Sequence, residues 1–148
     1  MKILVINGPN LNMLGKRIKE IYGGKTLAEI NSMVMEQAKE LNVEALTFQS
    51  NSEGALIDFI QEQSASADGI VINPGALTHY GISLRGALAD TLLPIIEVHL
   101  SNIYAREEWR AESIIAPIAI GQISGLGWRG YIAALQTLVA ELKEKSCP

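Results

Sequence analysis

The chain opens Lys2-Ile-Leu-Val-Ile-Asn7-Gly-Pro-Asn10, and this stretch sets the fold class. Four aliphatic residues in a row, Ile3 to Ile6, suit a strand covered on both faces, as strands of a parallel sheet are. The strand opens into a long Gly- and Asn-rich loop, Asn7 to Gly23, reading N-G-P-N-L-N-M-L-G-K-R-I-K-E-I-Y-G. Connections in α/β units usually run about 2–6 residues, and longer ones tend to be lids or binding loops. Asn10, Arg17 and Tyr22 on this loop can together hold an anion and move a proton. Function is to be sought here first.

Farther along the chain, β-like runs occur at Val43–Gln49, Gly69–Asn73, Ile95–His99 and Ile118–Ile123, beside Ile3–Asn7. Ile70–Ile72 and Ile95–Val98 are again nearly continuous aliphatic runs. Helical periods fall between them, over Thr26–Asn42, Glu53–Ser66, Ile82–Leu93 and a terminal helix from Trp128 to Lys145. Thr26-Leu-Ala-Glu29 reads as a capping box, fixing where the first long helix starts. A further helix is expected to begin near Ser101, to carry Arg106 to Glu112, and to end before Pro117. Alternating βα units predict a parallel sheet with right-handed crossovers and helices on both faces. Five strands suit a flavodoxin-like α/β fold of order 2-1-3-4-5, as a single domain over residues 1–148.

Composition narrows the function. Of 148 residues, 48% are hydrophobic and 19% charged, enough for one well-packed core. A net charge of −4 without any basic cluster argues against nucleic acid. The single cysteine, Cys147, allows no internal disulfide or Cys-based metal cluster and reads as a thiol on a frayed tail. No apolar stretch approaches the roughly 18 residues that span a membrane. Met1-Lys2 runs straight into the first strand with no room for a signal peptide. A cytoplasmic location is expected.

Ligands of such sheets bind outside the carboxyl ends of the strands, at the switch between strands 1 and 3. Strand 1 ends in Asn7-Gly-Pro-Asn10, strand 3 in Asn73-Pro-Gly-Ala-Leu-Thr-His79, and strand 4 in Glu97-Val-His99-Leu100-Ser101-Asn102. The only two histidines of the chain thus fall where they would face one pocket. A phosphoacceptor domain would need acids where asparagines stand here. Neither a carboxylate cluster for Mg²⁺ nor a zinc ligand set is evident, and no strand-end lysine could form a Schiff base. Ser101 lacks a nucleophile elbow and reads as a helix cap beside anion-binding N–H groups. Gly125-Leu-Gly-Trp-Arg-Gly130 matches a dinucleotide fingerprint but sits in the last βα unit, with no following strand and ribose-binding acid. It reads as close packing of the last helix, and Trp109 and Trp128 as packing or interface residues.

Five collinear segments carry a family resemblance: N-G-P-N-L-N-M-L-G-K-R (7–17) with Tyr22-Gly23, Q-S-N-S-E-G (49–54), N-P-G-A-L-T-H (73–79), E-V-H-L-S-N (97–102) and R-E-E-W-R (106–110). In this order and spacing the chain resembles the type II 3-dehydroquinate dehydratases from first strand to last helix. The resemblance implies a flavodoxin-like subunit assembled as a dodecamer, a tetramer of trimers. It implies dehydration of 3-dehydroquinate to 3-dehydroshikimate in the shikimate pathway, with no metal or organic cofactor. By the same resemblance Tyr22 is the general base, Arg17 the cation that lets a phenol act near neutral pH, and Asn10 the residue at the enolate's oxyanion or water site. His99 becomes the general acid, with Glu97 placed to fix its tautomer. Asn73, His79, Leu100, Ser101 and Arg110 become substrate-binding positions, with Arg110 donating to hydroxyls and the N–H groups of Leu100 and Ser101 to the carboxylate.

Two departures stand out. Gly86 occupies a position where the family commonly has an aspartate that reaches a neighbouring subunit, which puts that contact in doubt. Ile18-Lys19 succeeds Arg17 where many relatives have Glu-Pro, so a more mobile lid is expected. An alternative from another class is a non-catalytic flavodoxin-like module for a small anion or flavin. The first loop lacks a Ser/Thr-rich phosphate cradle, and aromatics are few.

Overall fold

Alternation along buried strands decides which helix covers which face. In the computed structural model, which describes residues 1–147, five strands form one parallel sheet: β1 (Lys2–Asn7), β2 (Glu44–Gln49), β3 (Gly69–Asn73), β4 (Ile95–His99) and β5 (Gly121–Ser124), in the order β2-β1-β3-β4-β5. This is the expected flavodoxin-like order. β1, β3 and β4 are inner strands and are buried along nearly their whole length, while the edge strands β2 and β5 are only partly covered. The aliphatic runs result from that placement: an inner strand has no solvent face on which to put a polar residue.

The helices are α1 (Lys19–Tyr22), α2 (Leu27–Glu40), α3 (Glu53–Gln63), α4 (Leu77–Tyr80), α5 (Ile82–Asp90) and α6 (Arg129–Ser146). Right-handed crossovers sort them. The β1-to-β2 step runs one way along the sheet and places α2 on one face, where it meets Ile3, Val5, Val71 and Val98 together with α6. The next steps run the other way, so α3 and α5 cover the opposite face against Leu4, Ile6, Ile70 and Ile95. The β4-to-β5 connection lies on that second face too. Ile114, Ile115 and Ile118 pack there in place of a helix.

Boundaries reflect local chemistry. The expected capping box forms: Thr26 accepts from the Glu29 N–H and Glu29 reaches back to the Thr26 N–H. Asn42, at a left-handed φ of 58°, ends α2, and Ser52 caps α3. Two expectations need correction. No α-helix starts near Ser101. Asn102, not Ser101, is the cap, accepting from the Tyr104 N–H for a single tight turn, Ile103–Ala105. Extended backbone at Arg106 interrupts the helix, and only another tight turn, Glu108–Ala111, succeeds it. The last strand begins at Gly121 rather than Ile118, because Ala116-Pro-Ile118 is taken up by a tight turn with Pro117 in its first positions.

The glycine motif near the C-terminus serves packing. A Cβ on Gly130 would sit 3.4 Å from Ile123 and Val98, so α6 approaches the sheet closely there, and one on Gly125 would press on Asn102 at 2.9 Å. One α6 residue is unusual. Tyr131, fully buried on the α2/α6 face, donates its hydroxyl to Asn7 Oδ1 at 2.6 Å and accepts from Asn73 Nδ2 at 2.9 Å. Burial holds its phenol far above the usual tyrosine range, outweighing the Asn73 bond, so it stays a neutral bridge between the ends of β1 and β3. Tyr131→Phe leaves two buried amides short of a partner and should destabilise the fold by about 2 kcal/mol, read from urea unfolding midpoints; an unchanged midpoint would refute this bridge.

Candidate active site

The loops leaving β1, β3 and β4 enclose a cavity of about 170 Å³ at the carboxyl edge of the sheet. Its floor is set by backbone interlock. A Cβ on Gly8 would lie 2.3 Å from the Pro74 carbonyl oxygen, and Gly75, at a left-handed φ of 59°, presses in the same way on the Pro9 oxygen. Only glycine fits either place. Gln49 donates to the Gly8 carbonyl, and Asn51 Oδ1 accepts both from Gln49 and, at 2.9 Å, from the Asn10 N–H. Asn10 is thereby held at φ 69° with its side chain on the cavity wall.

Beyond Asn10 the loop is anchored by Leu11 and Leu14, both buried in the α2/α6-side core. It then returns through α1 to hang Tyr22 over the cavity. Arg17 Nη2 donates to the Tyr22 hydroxyl at 2.8 Å, and its Cζ lies 3.7 Å from the ring centroid. A second guanidinium, Arg106, stands 5.1 Å from the same ring and donates to Ser101 Oγ. Arg110 completes a set of three arginines on the cavity wall; it stacks on Trp109 and pairs with the exposed Glu107. Glu107's carboxyl is lowered below its ordinary range, first by a backbone hydrogen bond and then by Arg110. Three guanidiniums in so small a space make an anion site.

The strand ends supply the opposite wall. Side chains on β4 alternate, so Glu97 and His99 point to the α3/α5 face, whereas Asn73 on β3 points to the α6 face. Asn73 spends Oδ1 on the Gly75 N–H and one amide proton on Tyr131, leaving the second for the cavity. His79 holds its Nδ1 proton on the Glu112 carbonyl at 2.6 Å and meets Trp109 edge-on. Glu97 is fully buried. Its Oε1 accepts from Thr78 and Ser113 hydroxyls, each at 2.6 Å, and Oε2 from the Gln122 amide. His99 Nε2 lies 3.2 Å from Oε2, at ion-pair distance but off the line of a hydrogen bond. Burial alone would push this carboxyl up; His99, Ser113, Thr78 and Gln122 outweigh it, and the net direction is down.

All nine residues singled out in the sequence, Asn10, Arg17, Tyr22, Asn73, His79, His99, Leu100, Ser101 and Arg110, line this cavity. Arg106 and Trp109 line it as well. Sequence reasoning does not assign them to the site, although both sit inside the R-E-E-W-R segment that could have pointed to them. Among the described residues, no three His, Cys, Asp or Glu side chains cluster so as to hold a metal ion.

The fold and the cavity define a flavodoxin-like α/β protein with a small arginine-lined cavity beneath a tyrosine-bearing loop. The chain matches the family model described as dehydroquinase class II over residues 1–139 and belongs to that family. It is 63% identical over 139 residues to a 3-dehydroquinate dehydratase of Roseiflexus castenholzii, covering 94% of this chain and 88% of the relative. A 3-dehydroquinate dehydratase of Halothermothrix orenii is 51% identical over 145 residues, 98% of each chain. The crystal structure of a type II dehydroquinase from Butyrivibrio crossotus superposes with a TM-score of 0.91 at 52% identity, covering 93% of this chain and 97% of that one.

Because Glu97 binds its proton less tightly in the fold than its ordinary value of 4.5, the stability it contributes is complete above that value. It is lost as the pH falls through the lower folded value. Unfolding free energies of Glu97→Gln should therefore fall less steeply than the parent's below pH 4.5; parallel slopes in urea titrations stepped through that range would contradict the assignment.

Proposed function

We propose that this chain dehydrates 3-dehydroquinate to 3-dehydroshikimate through an enolate, as a type II hydro-lyase without a Schiff base. The observation behind this reading is the pairing of Tyr22 with Arg17 on one side of the cavity and of His99 with Glu97 on the other. Loss of water β to a ketone needs a base at the α carbon and an acid at the departing hydroxyl. Tyr22, as phenolate beside Arg17 and Arg106, takes the α proton, and the C–H electron pair passes to the carbonyl oxygen. Asn10 holds the water or oxyanion site at that oxygen. The enolate then re-forms the ketone as the C–O bond breaks. His99 protonates the leaving hydroxyl, which departs as water, and the proton on Tyr22 returns to His99 through solvent.

Glu97, held as a carboxylate by His99 and by its neutral donors, stands 3.2 Å from His99 Nε2 as its ion-pair partner, which leaves Nδ1 as the nitrogen to act on substrate. Asn73, His79, Leu100, Ser101 and Arg110 bind the substrate, Arg110 at hydroxyls and the Leu100 and Ser101 N–H groups at the carboxylate. The carbonyl of the substrate stabilises the intermediate itself, so the reaction asks for no metal or organic cofactor. The non-catalytic alternative gives no reason for a phenol in direct contact with a guanidinium above two histidines. A cytoplasmic setting belongs to the same reading, and no helix among the described residues is long and apolar enough to cross a membrane.

Assembly as a tetramer of trimers is part of this proposal. Tyr80 and Ile82, at the junction of α4 and α5, and Leu92, beyond the far end of α5, are 63%, 76% and 91% exposed, large apolar side chains that a neighbouring subunit would cover. Gly86 lies one turn from Ile82, and a Cβ there meets nothing within 4 Å, so an aspartate's reach to a neighbour is missing. Light scattering at micromolar concentration should show trimers or larger; a stable monomer would count against it.

Turnover is tested by monitoring the enone absorbance on adding 3-dehydroquinate, before and after borohydride treatment with substrate, which should leave activity intact. Tyr22→Phe keeps the pocket's shape and should lower kcat by about three orders of magnitude with KM little changed. Arg17→Ala should also cut kcat strongly, with residual activity climbing as pH rises, and Arg17→Lys should recover only part, since a point charge does not reproduce the planar fork. Near-normal kcat in Tyr22→Phe would move the base to His79 or His99.

A further inference from the structure

We infer that Gln122, locked in orientation by the Tyr104 hydroxyl, is a positioning residue for the acid side of the reaction, completing the donor set that holds Glu97 against His99. This rests on the roles proposed above for Glu97 and His99. The geometry starts from sheet register: Gln122 on β5 stands beside Glu97 on β4, so their side chains share the α3/α5 face. Gln122 Nε2 donates to Glu97 Oε2, the oxygen nearest His99, and Tyr104 donates its hydroxyl proton to Gln122 Oε1.

The direction of this hydrogen-bond chain is set by what each group can do. A carboxylate only accepts, so the amide must turn its N–H₂ toward Glu97. That leaves the amide oxygen facing outward, where only a donor is welcome. The Tyr104 phenol supplies one. With the hydroxyl gone, nothing but Glu97 decides between two amide orientations, one of which sets a carbonyl oxygen against a carboxylate. The remaining donors cannot replace Gln122. Thr78 and Ser113 both bind Oε1, and Ser113 is further committed to the Ile115 and Ala116 N–H groups. Oε2 therefore has Gln122 and His99 alone. Among the described residues His99 is the one titratable side chain touching Glu97. Thr78 from α4, Ser113 from the β4–β5 connection and Gln122 from β5 are neutral, and Tyr104 stands behind Gln122. A proton gained by Glu97 would thus be felt by His99 directly.

Tyr104 is 56% exposed and does not line the cavity, so its substitution alters the site only through Gln122. The experiment is the pH profile of kcat with 3-dehydroquinate for the parent, Gln122→Met, Tyr104→Phe and the double variant. It is paired with a carbon-13 titration of the Glu97 carboxyl in the same four proteins. Loss of one hydrogen bond to a charged group corresponds to about tenfold in proton affinity. Gln122→Met should therefore move the Glu97 carboxyl titration up by about one pH unit and lower kcat, with KM nearly constant. Tyr104→Phe should move it in the same direction by less, and the double variant should match Gln122→Met, because the hydroxyl has no other route to Glu97. The losses of kcat should follow the same order.

Unmoved carboxyl titrations in both single variants would overturn the inference, whether or not the parent turns over. So would a Tyr104→Phe effect that persists undiminished on top of Gln122→Met. A parent that leaves 3-dehydroquinate unchanged while the carboxyl titrations shift as expected would instead retire the proposed reaction and leave the Tyr104–Gln122–Glu97 chain standing. Tyr104→Phe, at the surface, keeps the test available if Gln122→Met folds poorly.

Discussion

A carboxylate out of reach of water is the constraint around which this site is arranged. Glu97 sits fully buried on the inner strand β4, and an unsolvated charge there is tolerated only if its oxygens are filled by donors. The donors come from places far apart in sequence: Thr78 after β3, Ser113 in the β4–β5 connection, and Gln122 on the neighbouring strand. Satisfying Glu97 therefore fixes how three segments meet. The same convergence sets the wall of the cavity, since Ser113 comes directly after the Glu112 carbonyl that orients His79 and the Arg106–Arg110 stretch that brings two guanidiniums.

The two faces of the sheet contribute different polar chemistry to one opening. Strand alternation sends Asn7 and Asn73 to the α6 face, where Tyr131 joins them without a charge. It sends Glu97 and His99 to the other face, where a charge is held by neutral partners. Cations enter only from the loops, on Arg17, Arg106 and Arg110. The strands thus present fixed hydrogen-bonding groups, while the guanidiniums that line the cavity ride on segments outside the sheet.

Much of this can be read from the chain because the signals are local. Aliphatic runs bounded by Asn, Gly and Pro mark inner strands, and Thr26 with Glu29 marks a helix start, through chemistry spanning four residues. The cavity residues are legible because strand ends in such a sheet share one edge, so Asn10, Asn73 and His99 have to be neighbours. The β4–β5 connection is not legible. Its acid- and base-rich run from Arg106 to Glu112 looks helical, yet the backbone there is shaped by tertiary bonds, Glu112 to His79 and Ser113 to Glu97, that no local pattern encodes. Tyr131 reads as one more apolar position of a helix, since periodicity does not register the hydroxyl at its tip. Gln122, on a four-residue edge strand, offers no period from which to assign it a face.

The interlock of Gly8 with Pro74 and of Gly75 with Pro9 has a mechanical consequence for the lid. Two turns wedged backbone to backbone cannot pivot, and Leu11 and Leu14 nail the next stretch into the core. Swinging of Tyr22 away from the opening must be absorbed farther along, at Gly15 and Gly23, whose positive φ values mark joints with no side chain of their own to obstruct rotation. The piece between these joints is a short flap of seven residues, 16–22, carrying Arg17 and Tyr22 together. Arg17 and Tyr22 lie on the same piece, so rotation at these joints would carry guanidinium and phenol together with their contact intact.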